Sequence, residues 1–95
     1  MKKLGFILVF VIGIINHTFS NDLLKSAEAA YDKKNYKEAI RCYEQLVKEG
    51  NKSYELYFNL GNAYYRNKDL GYAIYNYELA RKINPNDKDI QINLG

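Results

Sequence analysis

Side chains that catalyse reactions or bind metals are scarce in this sequence. It contains one cysteine, Cys42, and one histidine, His17, so no spacing of such residues could hold a metal ion. The carboxylates are scattered among lysines, there is no glycine-rich loop for phosphate, and no serine, histidine and aspartate form a nucleophilic set. We therefore predict that the protein is not an enzyme and has no cofactor and no metal site.

The single cysteine leaves two interpretations open. Cys42 lies within AIRCYEQL, a stretch with helical periodicity, which favours packing of the thiol against a neighbouring helix. Since one thiol cannot form a disulfide within its own chain, the alternative is an intermolecular disulfide in an oxidising compartment.

The N-terminal segment, Met1 to Ser20, has the layout of a secretory signal. Lys2 and Lys3 form a basic start, Leu4 to Ile15 an apolar run, and a polar stretch ends on the small Ser20. The apolar run is shorter than the roughly 20 residues that span a bilayer. We expect cleavage after Ser20 and export to the periplasm or the membrane-associated cell envelope. The alternative is an uncleaved N-terminal anchor, which would be the only link to a membrane.

The charge of the chain depends largely on this segment. The whole chain has 14 Lys+Arg and 11 Asp+Glu, a net charge of +3, and loss of Lys2 and Lys3 leaves 12 against 11, or +1. No basic stripe remains that could follow a phosphate backbone, so we do not expect nucleic-acid binding.

The rest of the sequence repeats itself at a constant shift. The segment that begins at Ala27 aligns with the segment that begins at Gly61, and the same shift aligns Tyr43 with Tyr77. A repeat period of 20–50 residues is typical of solenoids. Each unit is predicted to form two helices, Asp22 to Lys34 and Tyr36 to Glu49, then Ser53 to Asn67 and Leu70 to Ile83. Residues three and four apart are predicted to form the packed faces of these helices. In the first unit they are Leu23, Ala27 and Ala30, then Ala39, Tyr43 and Leu46, and in the second Tyr57, Leu60, Gly61 and Tyr64, then Ala73, Tyr77 and Ala80.

Turn and cap residues support these helix boundaries. Asn35 and Glu38 are expected to form a capping box, and Asp69 to cap the helix that begins at Leu70. Gly50 fits a C-terminal cap, and Pro85 cannot continue the last helix because it lacks an amide donor.

Gly61 lies in the middle of a predicted helix, where glycine costs about 1 kcal/mol relative to alanine. Glycine at such a position indicates the close approach of another segment. We predict that the second helix of the same unit packs here, with Tyr77 against the gap.

The second unit resembles the tetratricopeptide repeat (TPR) family, whose 34-residue pattern combines aromatic, Leu-Gly, Tyr, Ala and Pro positions. The residues that carry this resemblance are Tyr57, Leu60, Gly61, Tyr64, Ala73, Tyr77, Ala80 and Pro85. The first unit matches less well, with Ser26-Ala27 in place of Leu-Gly and Asn51 in place of the proline.

The resemblance implies an all-α, helix-turn-helix solenoid of two repeats plus the start of a third. The first repeat would cover residues 21–53 and the second would cover residues 54–87, with a third repeat or capping helix beginning over 88–95, after a signal peptide over 1–20. The stretches ELYFNLGNAYY and INPNDKDI also resemble the exported TPR proteins of bacterial aerotolerance (Bat) operons. That narrower resemblance implies envelope partners with von Willebrand A domains.

TPR solenoids bind partners along a concave groove formed by the first helix of each unit. Residues of these helices that the core does not use are the groove candidates, Leu24 and the set Glu28, Tyr31, Glu55, Phe58, Asn59, Asn62, Tyr65 and Arg66. The amide of Asn62 can donate to and accept from a peptide backbone. Tyr31 and Tyr65 are expected to stack and offer flat contact area. The alternative is that these asparagines and tyrosines bond and pack within the fold.

The charges along the groove are mixed, with Glu28 and Asp32 against Lys25 and Arg66, which predicts no strong preference for acidic or basic ligands. Ten tyrosines exceed what two small cores can bury, so Tyr36, Tyr54, Tyr72 and Tyr75 are expected to be partly exposed. We expect a non-catalytic scaffold of the cell envelope that binds a partner protein or peptide in its groove. The alternatives are a self-associating module, forming homo-oligomers through its open ends, and a fragment of a larger TPR protein.

Overall fold

The structure, a computed structural model, describes residues 20–86, and this range forms four helices without strands. Helix α1 covers residues 20–32 of that range, and the others are α2 (Tyr36–Lys48), α3 (Tyr54–Arg66) and α4 (Leu70–Ile83). The all-α class and the two helix pairs are therefore confirmed, with boundaries within two residues of those predicted.

The predicted signal peptide and third repeat lie outside the described residues, except for Ser20. Ser20 is helical in α1, and its Oγ donates a 2.8 Å hydrogen bond to Oε1 of Glu49 at the end of α2. Within residues 20–86 no helix has the length and apolar character needed to cross a membrane.

Two tight turns, at equivalent positions of the two units, join the helices within each unit. Lys34 and Lys68 adopt the left-handed conformation, with φ of 64° and 66°. The N–H of Lys34 donates to the carbonyl of Tyr31 (2.9 Å) and that of Asn35 to the carbonyl of Ala30 (2.8 Å), and the turn after α3 repeats both bonds. This is a Schellman motif in which lysine holds the place usually taken by glycine.

Gly50 ends α2 with the same motif, as predicted. Its φ is 96°, and its N–H donates to the carbonyl of Val47 at 3.0 Å, while the N–H of Asn51 donates to that of Leu46 at 3.2 Å. The last described helix ends at Ile83, two residues before Pro85.

The predicted capping box of α2 is wrong. Asn35 makes no side-chain cap bond, and Glu38 instead binds Arg41 through two hydrogen bonds of 3.0 and 2.6 Å. The preceding turn holds Asn35 at ψ 75°, away from the extended conformation from which a side chain caps a helix. Asp69, at ψ 74°, fails to cap α4 for the same reason, and its carboxylate accepts a 2.7 Å bond from Asn67.

The side-chain cap that does form is at Ser53, which the sequence analysis did not single out. Ser53 is extended, with φ −114° and ψ 158°, and its Oγ accepts a 3.2 Å bond from the N–H of Leu56. The five-residue connection after α2 leaves Ser53 free to adopt this conformation, whereas the three-residue turns within the units do not.

In the part of the chain that the structure describes, buried side chains form two clusters. The first joins α1, α2 and α3 and contains all the core residues predicted for the first repeat, Leu23, Ala27, Ala30, Ala39, Tyr43 and Leu46. The second joins α3 and α4 through Tyr57, Ala73, Tyr77 and Ala80. The predicted helical faces are thus confirmed.

Cys42 belongs to the first cluster and is completely buried. Burial raises the pKa of its thiol. The packing interpretation is therefore confirmed, because a thiol in this position cannot reach a second chain while the helices remain packed.

Gly61 and Tyr77 pack against each other as predicted. A Cβ atom built on Gly61 would lie 2.7 Å from Cδ1 and Cε1 of the Tyr77 ring, closer than real Cβ atoms approach. Since glycine has no side chain, the ring from α4 can reach the backbone of α3 and is 2% exposed.

Candidate partner-binding groove

A shallow cavity of about 370 Å³ lies between α1 and α3. Four of the predicted groove residues line it, Leu24, Glu28, Glu55 and Asn59. Further lining comes from Leu46 of α2 and from Asn51 and Ser53 in the following connection. These three residues lie outside the first helix of each unit, to which the groove prediction was limited, and so they were not predicted.

Charge is unevenly distributed along the groove. Glu28 and Glu55 line the cavity, and no lysine or arginine of residues 20–86 does so. Arg66 lies instead in a second depression, with Tyr65 and Lys68. The expectation of mixed charge therefore describes the groove as a whole and not this cavity, where two carboxylates would favour a basic ligand.

The ends of α1 and α3 are connected through Tyr31 and Arg66. Hydrogen bonding with the Tyr31 hydroxyl raises the pKa of the Arg66 guanidinium. The Tyr31 ring packs edge-on against Tyr36, with centroids 5.4 Å apart and planes at 71°. The expected Tyr31–Tyr65 stack is not among the ring contacts of residues 20–86, because α2 offers Tyr31 a nearer ring, and Tyr65 is 53% exposed.

Phe58 is partly used by the fold. Its ring lies 5.9 Å from that of Tyr77 and 5.8 Å from that of Tyr54, and it is half-buried against the second cluster. Phe58 therefore offers only part of its ring to a partner.

Asn62 is also partly used by the fold, because its Oδ1 accepts a 2.5 Å bond from the hydroxyl of Tyr77. Burial raises the pKa of Tyr77 to about 12, so this hydroxyl keeps its proton and donates at neutral pH. No acceptor among residues 20–86 binds the amide nitrogen of Asn62. Asn62 can therefore donate to a ligand, while one of the two lone pairs on its oxygen is already used by Tyr77.

The predicted groove residues thus divide into two groups. Those free to meet a ligand are Leu24, Glu28, Glu55, Asn59 and Tyr65, and those shared with the fold are Tyr31, Phe58, Asn62 and Arg66. Whether either group binds a partner remains a prediction.

Comparison with known proteins agrees with this architecture. The family model described as tetratricopeptide repeat matches residues 24–88, more than half of the chain. A search of curated proteins finds no match. Repeats of this family commonly bind protein partners. Two helix pairs at a 34-residue period and the Gly61–Tyr77 packing agree with this match. The chain therefore belongs to the tetratricopeptide repeat family.

Proposed function

We propose that this protein is a non-catalytic scaffold that binds an extended segment of a partner protein in the groove between α1 and α3. The observation that carries the proposal is the cavity in which Leu24, Glu28, Glu55 and Asn59 come together. These side chains come from two different repeats, so the cavity exists only when the repeats are stacked.

The chemistry of the cavity defines the segment that would fit. Leu24 is 41% exposed and offers an apolar contact, and the amide of Asn59 can both donate to and accept from a peptide backbone. Glu28 and Glu55 would attract a lysine or arginine. We therefore expect a segment that combines an apolar side chain with a basic one.

Selection from a random peptide library tests this proposal. Selected peptides should contain an apolar and a basic residue. Leu24→Ala and Asn59→Ala should each lower the affinity for the best peptide by about tenfold, which corresponds to a loss of roughly 1.4 kcal/mol of binding free energy. The matched control is Ile83→Ala, which truncates an apolar residue at the end of α4 that is 50% exposed, against 41% for Leu24. Peptides that bind all three variants with equal affinity would show that the groove is not the site.

We place this scaffold in the bacterial cell envelope, as an exported protein of the Bat type that acts beside partners with von Willebrand A domains. The support is the basic, apolar and small-residue order of residues 1–20. Fusion of alkaline phosphatase to the C-terminus tests export, since this enzyme is active only outside the cytoplasm. We expect activity that disappears when Val9 and Val11 are replaced by aspartate, and an inactive parent fusion would refute export.

Self-association is a second candidate function, favoured by one observation on α4. Leu70 and Ile74 are 56% and 52% exposed, whereas the corresponding Tyr36 and Ile40 of the first repeat are half-buried. A second copy could cover this apolar face. Sedimentation velocity should then show a dimer that Ile74→Ser dissociates, and a monomer at all concentrations would exclude this function.

A further inference from the structure

A second cavity, of about 690 Å³, lies outside the groove, where α4 faces α2 and α3. Its lining includes Glu44 of α2, Tyr64 of α3, and Tyr72, Tyr75 and Asn76 of α4. None of these residues is a groove candidate, so the cavity is a separate surface of the molecule.

Aromatic rings form much of this cavity. Tyr72 and Tyr75 are 64% and 62% exposed, and the Tyr72 ring stacks on that of Tyr64, with centroids 5.2 Å apart and planes at 24°. The face of an aromatic ring carries partial negative charge and attracts cations. Two exposed rings around one opening therefore suit a flat cationic group.

A hydrogen-bond acceptor from a largely buried residue lines the same cavity. Asn76 is 4% exposed, the only buried polar side chain among the described residues. Its amide nitrogen donates a 2.9 Å bond to the carbonyl of Tyr72. This bond fixes the orientation of the amide, because a carbonyl oxygen can only accept and the NH₂ group must therefore face it. The amide oxygen accepts no bond from residues 20–86, and it is not a buried atom, because no buried side-chain nitrogen or oxygen in this range lacks a partner. It is therefore open to the cavity and can accept from a ligand that donates.

The charge of the cavity is negative. The Glu44 carboxylate lines it without an ion pair in the described part of the chain, where the two ion pairs are Arg41–Glu38 and Arg81–Glu78. Asp69 adds a second carboxylate, and neither lysine nor arginine is among the lining residues. Nothing in the lining therefore opposes the attraction of a positive group.

We propose that this cavity binds an arginine side chain of a partner protein, with the guanidinium over the exposed tyrosine rings and its N–H groups donating to Asn76 Oδ1 and the Glu44 carboxylate. Arginine fits better than lysine because its guanidinium is planar and carries five donors, so that it can stack on a ring and donate at its edge. The proposal does not depend on the groove.

The cavity is not a general consequence of the repeat. At the equivalent positions, the first unit replaces Tyr64, Tyr72 and Asn76 with Ala30, Glu38 and Cys42. The first repeat therefore lacks both the rings and the acceptor.

Titration of the ¹⁵N-labelled full chain with N-acetyl-arginine amide tests the proposal by NMR. We expect saturable shifts confined to the amides around Tyr72, Asn76 and Glu44, with a dissociation constant on the order of 1 mM for so small a ligand. The neutral isostere N-acetyl-citrulline amide should bind at least about fivefold more weakly, because it lacks the charge.

Variants of the lining residues test whether the arginine amide binds in this cavity. Glu44→Gln and Tyr72→Leu should each weaken binding by at least about threefold, as expected for one exposed ion pair or one ring contact. The control Glu78→Gln makes the same chemical change on α4 away from the cavity and should leave binding unchanged. The NMR spectra also report whether each variant is folded.

Several outcomes would overturn the proposal. These are equal binding of the citrulline analogue, shifts at Glu28 and Asn59 instead of the cavity, and unchanged affinity in both variants. Binding of tetramethylammonium without binding of the arginine amide would also overturn it, because that ion cannot donate to Asn76 or Glu44.

Discussion

At the scale of single residues, the contact of Gly61 with Tyr77 explains why α3 contains a glycine. The glycine weakens its own helix but lets the ring lie against the backbone, where it belongs to the second cluster. Tyr77 also donates to Asn62, so one side chain both packs α4 against α3 and orients a residue of the groove.

Replacement of Gly61 by alanine tests this packing. The added methyl group would lie 2.7 Å from the ring of Tyr77, so we expect the free energy of unfolding to fall by about 1–3 kcal/mol despite the gain in helix propensity. Urea denaturation followed by circular dichroism measures the change. The matched control is Gly71→Ala in α4, where no atom lies within 4 Å of the added Cβ, and it should stabilise by up to about 1 kcal/mol. Stabilisation by both substitutions would show that the contact is not tight.

Two of the buried tyrosines, Tyr43 and Tyr77, should make the stability of the fold sensitive to alkaline pH. Burial raises the pKa of Tyr43 and of Tyr77 to about 12, from an ordinary value of 10. The unfolded chain therefore loses these two protons at a lower pH than the folded chain. The free energy of unfolding keeps its full value below pH 10 and falls as the pH rises through 12. Ionisation of each tyrosine should lower the free energy of unfolding by about 2–3 kcal/mol over this pH range.

Tyr77→Phe tests the alkaline effect, because it keeps the ring and removes the ionisable group. The free energy of unfolding should then fall less steeply between pH 10 and 12 than in the wild type. The control Tyr75→Phe alters an exposed ring and should keep the wild-type slope. An unchanged slope in Tyr77→Phe would mean that this hydroxyl ionises equally in the folded and unfolded chain.

Sequence reasoning at this scale predicted the core better than the groove. Helical spacing identified Leu23, Tyr43 and Tyr77 as buried because burial depends mainly on which face of a helix a residue occupies. Partners such as Tyr36 for Tyr31, or Tyr77 for Asn62, depend on how two helices are placed in space, and one sequence does not determine this.

At the scale of elements, the two turns at Lys34 and Lys68 hold a residue with a side chain in the left-handed conformation. The left-handed conformation is disfavoured by about 1–2 kcal/mol for a residue with a Cβ atom and is readily adopted by glycine. Both turns keep the complete set of Schellman hydrogen bonds, so the fold holds lysine in a conformation that lysine does not prefer.

Lys34→Gly and Lys68→Gly should therefore stabilise the protein. We expect about 0.5–1 kcal/mol from each, because relief of strain exceeds the greater entropy of glycine in the unfolded chain. The two gains in the free energy of unfolding should be additive, since the turns belong to different repeats and do not share a hydrogen bond. Thermal unfolding measures the gain. The control Lys33→Gly places glycine one residue earlier, where φ is not positive, and should destabilise.

The helix boundaries could be predicted to within two residues because turn residues and apolar periodicity recur together in both units. The caps could not be predicted. Asn35 and Asp69 are suitable residue types, but the turn before each of them fixes the backbone first and moves the side chain away from the amides. Ser53 caps α3 because its longer connection imposes no such constraint.

At the scale of the whole molecule, the stacked repeats present two chemically different surfaces. The groove between α1 and α3 combines an apolar residue, an amide and two carboxylates. The cavity beside α4 combines tyrosine rings with an amide and two carboxylates. Both surfaces favour basic partners, although the chain as a whole has a net charge of +3.

Site-specific photo-crosslinking in the cell tests most directly whether the groove holds a partner. The photoreactive amino acid benzoylphenylalanine would replace Glu55 in the groove or the exposed Lys37 of α2. We predict a crosslinked partner from position 55, lost when Leu24→Asp is added, and none from position 37. A partner crosslinked equally from both positions, or one unaffected by Leu24→Asp, would contradict the assignment of this groove as the binding surface.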